Sequence, residues 1–381
     1  MLHALEERLS PQRASARCSR IHGRGTRQLS YLAKSGSAMR ILLSSNHRYP
    51  GNAQAGSGRK PKEFPSGSGF IIHDLIAKGL SEMGHQVFYL LPQGADAPFP
   101  PGCTLLQKPI FDVDILHTMT FRDHDLVRDM RHAGIPWVAT CHLDPTVPGR
   151  TIPGPIEDNW IFVSRTLAHL LGRKRHVVNG IDPSEYVFSE KKDDYFLFMA
   201  SLDWSHHKGL DVALALAARL HLRLLVAGTG KTPEIIERTA ESCRAAGAEF
   251  VGDVRGPEKA CLLASARALL FPTQVNEAFG LVMAEALMSG TPVIASANGA
   301  CPEIVSPDVG FICRSEQDYS EAFQRIGEIS PHDCRTKAMA EFHYQRMAAD
   351  YLREYQAEIA AASHFAAGGR REPDHVAGGQ A

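Results

Sequence analysis

From Met39 onward, short apolar runs alternate with stretches in which apolar positions recur every three or four residues. That alternation predicts a parallel sheet covered by helices. The pattern gives a strand over residues 40–44 and then a helix over 70–83. In that helix Ile72, Leu75, Ile76, Gly79, Leu80 and Met83 form one stripe for burial. Gly84 stops it, and strands over 87–91, 114–117, 137–141, 161–164 and 176–178 continue the set. The charged segment Ser189-Glu190-Lys191-Lys192-Asp193-Asp194 reads as a connection between domains, after which the pattern restarts. Strands are then expected over 195–200, 222–227, 249–251, 268–271, 292–295 and 311–313. Two doubly wound units in succession imply a cleft, with ligands at the carboxyl ends of the strands.

Within the second unit, Asn276-Glu277-Ala278-Phe279-Gly280-Leu281-Val282-Met283-Ala284-Glu285 reads as a polar loop running into a helix over 280–288. A helix that opens at Phe279-Gly280-Leu281 presents unpaired N–H groups and the positive end of its dipole, which suits a diphosphate. Glu285 lies far enough along to meet a sugar's hydroxyls. The same spacing also describes an ordinary amphipathic helix with Glu277 as an N-terminal charge and Glu285 in solvent.

Composition narrows the classes. A chain of 381 residues is long for one core, so two domains are the default. With 44% hydrophobic and 22% charged residues it fits a globular protein. A formal charge of −1 gives no general attraction to nucleic acid or anionic lipid. The eight cysteines are scattered, without a Cys-x-x-Cys pair, which favours a reducing, cytoplasmic setting and argues against a structural metal. No run reaches the roughly 18 apolar residues of a membrane span. Residues 1–38 are Arg-rich and acid-poor without an apolar period, so they read as a disordered or non-native extension, with Met39 the expected start. Residues 361–381 read as a disordered tail.

The segment from Glu277 to Glu285 resembles the Glu-x7-Glu motif of retaining, nucleotide-sugar-dependent glycosyltransferases of the GT-B type, glycosyltransferase family 4 (glycosyl transferases group 1). The resemblance runs from about Met39 to Tyr355. It takes in Asn179-Gly180-Ile181-Asp182, Lys208-Gly209, Gly299-Ala300-Cys301-Pro302-Glu303-Ile304-Val305 and the closing segment Arg346 to Tyr355. It implies an α/β fold of two Rossmann-like doubly wound domains facing across a cleft. The first, acceptor-binding domain would cover 39–185 and the second, nucleotide-sugar-binding domain 190–334. A helix over 335–360 would cross back to the first domain.

The resemblance also assigns roles. Lys208 becomes the cation for the leaving diphosphate, which rests on Phe279, Gly280 and Leu281. Glu277 contacts the donor sugar, and Glu285 holds the ribose with both carboxylate oxygens. Gly67 and Gly69, in Pro65-Ser66-Gly67-Ser68-Gly69, line the cleft beside the donor phosphates, or serve only as a turn and helix cap. His142 lies near the acceptor, with His117 a weaker candidate, while Asn298, Gly299 and Glu303 shape the cleft. Arg59, Lys60 and Lys62 are open to an anionic acceptor or to solvent. One position departs from the family: Ser201 stands where an arginine is usual, and serine offers no bidentate fork to phosphate. His206 or His207 is the nearest replacement, or else a neutral loop histidine.

The expected activity is sugar transfer from a nucleotide diphosphate sugar to a glycan, lipid-linked or small-molecule acceptor, with retention of configuration. No metal and no cofactor is expected, no nucleic acid partner, and peripheral membrane contact is left open. Epimerase or phosphorylase chemistry on the same fold, or binding without catalysis, are the alternatives.

Overall fold

The computed structural model describes residues 37–47, 68–95, 102–119, 123–144 and 155–366. Gly67, the basic residues Arg59, Lys60 and Lys62, and most of both terminal extensions lie outside the described residues.

The first domain is one parallel sheet of β1 (Arg40–Ser44), β2 (Gln86–Leu90), β3 (Cys103–Leu106), β4 (Ile115–Thr118), β5 (Trp137–Cys141) and β6 (Trp160–Phe162). Their spatial order is β3-β2-β1-β4-β5-β6. The central strands are covered on both faces, so they read as unbroken apolar runs rather than alternating ones. Between β1 and β2 runs α1 (Ser68–Glu82), whose Ile72, Ile76 and Leu80 are fully buried. Each such side chain contributes about 1.5–3 kcal/mol by leaving water. Gly84 ends this helix at φ 89°, with its N–H donated to the Ser81 carbonyl. Two short helices, α2 (His124–His132) and α3 (Arg165–Leu170), also belong to the described part of this domain.

The second sheet comprises β7 (Phe196–Met199), β8 (Leu224–Ala227), β9 (Glu249–Gly252), β10 (Ala268–Phe271), β11 (Val293–Ser296) and β12 (Gly310–Cys313). It runs β12-β11-β10-β7-β8-β9, again parallel. Its helices are α4 (Leu210–Leu220), α5 (Pro233–Ala245), α6 (Gly256–Ser265), α7 (Leu281–Met288), α8 (Cys301–Ile304) and α9 (Glu316–Arg325). The described residues close with α10 (Pro331–Glu341) and α11 (Tyr344–Ala366).

Three local expectations are corrected. The strand expected over 176–178 is a single bridge between Phe162 and His176, because the chain turns into the interdomain connection straight afterwards. The edge strand β3 was not among the expected strands. The crossing segment is two helices rather than one. Its break at Phe342-His343 arises because the backbone leaves the helix to pair with Ile181: Ile181 N–H donates to the Phe342 carbonyl at 2.8 Å and Tyr344 N–H to the Ile181 carbonyl at 3.0 Å.

Beyond the break, α11 packs along α1 and the first sheet. Gly79 lets the two helices touch, since a Cβ there would lie 2.5 Å from that of Ala348. The hydroxyls of Tyr351 and Tyr355 reach Thr140 Oγ1 at 2.8 Å and His117 Nδ1 at 2.6 Å. Glu358 accepts from Asn159 at 2.8 Å and from Arg175 at 2.9 Å. The last helix therefore belongs to the core of the first domain.

Candidate active site

The loop after β7 is drawn onto the loop after β10. Gly209 adopts φ 81°, and a Cβ there would sit 2.0 Å from the Pro272 carbonyl oxygen, so only glycine fits. Gln274 N–H donates to the His207 carbonyl at 2.8 Å. This contact delivers Lys208, whose ammonium forms an ion pair with Glu277 and lies 5.7 Å from the Phe271 ring centre. Glu277 is fixed from behind by Gly299, at φ 58°, where a Cβ would fall 2.1 Å from the Glu277 nitrogen. Ala300 N–H donates to the Glu277 carbonyl at 2.8 Å.

Three residues further on, Gly280 turns the chain into α7 at φ 83° and, having no side chain, leaves the helix start uncapped. Every residue from Met283 to Met288 is buried, Glu285 included, so the helix is not amphipathic. Leu281 packs against apolar side chains of the first domain's core, which sets the start of α7 at the meeting of the two domains.

Glu285 is 7% exposed and is not a solvated carboxylate. It pairs with Lys259 of α6 at 2.7 Å and accepts from the Tyr186 hydroxyl at 3.0 Å. Burial and the adjacent Glu285 carboxylate raise the Tyr186 pKa well above the usual phenol value, so it acts as a donor. Neither Lys259 nor Tyr186 was singled out from the sequence. Lys259 flanks the buried stripe Ala260, Leu263 and Ala264 and looks like any surface lysine, and Tyr186 sits alone in the connection.

In the first domain, His142 follows β5 and meets the start of α1. A Cβ on Gly69 would lie 3.1 Å from its ring. The residue is half-buried with both ring nitrogens out of solvent, and neither nitrogen has a hydrogen-bond partner among the described residues. Burial pushes its pKa down to about 4, so it is neutral at pH 7. His117 is structural. Its nitrogens bond Tyr355 and Thr140, each at 2.6 Å, and its pKa falls to about 3, chiefly through burial and then through His142. His73 lies between them, 4.7 Å from the His117 ring and 6.2 Å from that of His142, with neither nitrogen bonded among the described residues.

Ser201 is exposed at the start of a short 3₁₀ turn and faces Asp203, so no cation stands where the family's arginine would. His206 does not replace it, being engaged by Asp211 at 2.6 Å in solvent. His207 lies against the Trp204 ring at 5.3 Å. Asn298 donates to the Thr273 carbonyl at 2.7 Å. Glu303 reaches across to the first domain, where it accepts from the backbone of Arg165 and Thr166 at 3.0 Å each. A cavity of about 700 Å³ between α4 and α9 borders this region through Gln274 and Asn298, but none of Lys208, Glu277 and Glu285 lines it. Among the described residues no group of three or more His, Cys, Asp or Glu side chains is arranged to hold a metal.

Residues 184–341 match the family model described as glycosyl transferases group 1. Over 114 residues the chain is 37% identical to an MMP alpha-(1->4)-mannosyltransferase of Mycolicibacterium hassiacum, covering 27% of each chain. It is 25% identical over 221 residues to the phosphatidyl-myo-inositol mannosyltransferase of Mycolicibacterium smegmatis, covering 53% of this chain and 56% of that one. These alignments therefore span between about a quarter and just over half of the relatives' lengths. Among solved structures, AviGT4, a glycosyltransferase involved in Avilamycin A biosynthesis, superposes with a TM-score of 0.64 at 24% identity, covering 84% of this chain and 98% of that one. Sucrose-phosphate synthase from Thermosynechococcus elongatus gives 0.65 at 19% identity, covering 84% and 99%. The chain therefore has two parallel six-stranded sheets in the GT-B arrangement, and its second domain matches the family model described as glycosyl transferases group 1.

Proposed function

We propose that this chain is a glycosyltransferase that moves a sugar from a nucleotide diphosphate sugar to an acceptor hydroxyl, with retention of configuration. The observation that carries this reading is the Lys208–Glu277 pair beside the uncapped start of α7. An ammonium and the positive end of a helix there meet the charge that grows on a departing diphosphate. Glu277 is within reach of the sugar, Glu285 of the ribose, and His142 of the acceptor side. In this mechanism the diphosphate leaves from the face the acceptor attacks, and its own oxygen helps take the acceptor proton, so no protein nucleophile is required. The names of the mannosyltransferase relatives support a hexose donor, and a relative described as GDP-mannose-dependent makes GDP-mannose the first donor to try. No helix among the described residues is long and apolar enough to cross a membrane, and the seven described cysteines are free; both fit a cytoplasmic enzyme.

The test is product analysis with GDP-mannose and UDP-glucose, with and without a sugar or inositol acceptor. Transfer that depends on the acceptor supports the reading. Epimerisation without an acceptor, or a requirement for inorganic phosphate, overturns it. Binding without turnover would favour a non-catalytic protein, for which Ser201 is the motive. Because the protein is proposed to supply the positive charge itself, activity should persist in excess EDTA. Inactivation by chelator that magnesium or manganese restores would sink that part of the mechanism.

A further inference from the structure

An ionised carboxylate has two oxygens and about four acceptor positions. At Glu285 three of them are filled from within the protein. Oε1 accepts from the Tyr186 hydroxyl at 3.0 Å and lies 2.7 Å from the Lys259 ammonium, while Oε2 also lies 2.7 Å from that ammonium. The side chain is 9% exposed, so water does not readily compete for these positions. All three groups come from different elements: the connection after Asp182, α6 and α7. Among the described residues Oε1 has its two partners, and Oε2 keeps one acceptor position.

We propose that Glu285 accepts one hydroxyl of the donor's ribose rather than two, and that Tyr186 and Lys259 are the positioning residues that impose this. The inference rests on the nucleotide-sugar reading above. It predicts an asymmetry that a carboxylate with both oxygens free would not show. Removing the engaged hydroxyl strips a hydrogen bond to a charged group, whereas removing its neighbour leaves that bond intact. Tyr186→Phe keeps the ring in place and opens Oε1 to the second hydroxyl.

The experiment is calorimetric titration of the full chain with UDP and GDP and with their 2′-deoxy and 3′-deoxy forms. For whichever nucleotide binds, one deoxy form should bind roughly tenfold or more weakly and the other within about threefold of the parent. In Tyr186→Phe the tolerated deoxy form should become penalised as well, a change in ratio that loss of packing alone would not produce. Equal weakening of both deoxy forms by the wild-type protein would overturn the inference, as would no weakening of either, or an unchanged ratio in the variant. Should Tyr186→Phe not fold, the wild-type comparison decides alone. Failure of both UDP and GDP to bind at all would instead remove the nucleotide-sugar reading, and the inference with it.

Discussion

Among the described residues Lys208 pairs with Glu277 and lies 5.7 Å from the Phe271 ring centre, and Ser201 stands where the family's arginine is usual, so Lys208 is the cation proposed to meet the leaving diphosphate. A group that meets charge only as the bond breaks stabilises the transition state more than the ground state. Lys208→Ala is therefore expected to lower kcat more than it raises the donor KM, which steady-state kinetics with varied donor will read. Near-normal turnover would put the leaving-group site on another loop. Both members of this pair were legible in the sequence, Lys208 from its Lys-Gly context and Glu277 from its spacing to Glu285. The partners of Glu285 were not. Lys259 and Tyr186 converge on it only through the packing of α6 and the connection onto α7, and no local pattern encodes that convergence.

At the level of elements, the hydrophobic pattern was a good guide in α1, which buries one stripe, and in β5, which is buried along its whole length and whose limits match the strand expected over 137–141. It failed where backbone pairing overrides propensity. The Ile181–His343 bridge splits the terminal crossing into α10 and α11, although the segment reads as continuous helix. Gly180 is what allows this crossing to be so close. A Cβ there would lie 2.7 Å from Tyr344 Cα and 2.9 Å from the His343 carbonyl oxygen, both backbone atoms that cannot swing aside. Gly180→Ala should cost about 1–3 kcal/mol as an overpacked contact and lower Tm by several degrees. An unchanged melting curve would show that the connection and α11 separate freely.

For the molecule as a whole, the three neighbouring imidazoles of His73, His117 and His142 set a limit in acid. All three have pKa values pushed below 6.5, chiefly by burial; His117 falls to about 3 and His142 to about 4. The unfolded chain takes up these protons first, so the histidines' contribution is intact above pH 6.5 and is lost progressively as the pH falls toward those lower values. Each histidine should cost about 1.4 kcal/mol of stability per pH unit inside that window. Urea unfolding at pH 7 and at pH 5 should show the drop, and His73→Leu, which cannot ionise, should make it smaller. Identical pH slopes for the two proteins would mean the cluster is not what titrates.

The burial of Tyr351 and Tyr355 in the first domain has a consequence for how the chain is made. A ribosome releases β1 to β6 early, yet the helix that covers them leaves the exit tunnel only after the whole second domain has been synthesised. Domains usually fold as units in the order they emerge. Here the first domain must wait for α11, with His117, Thr140 and Asn159 lacking the hydrogen bonds that this helix supplies until it arrives. A premature stop codon just before Tyr344 would spare the sequence of the second domain, and the damage would fall on the domain at the other end of the chain.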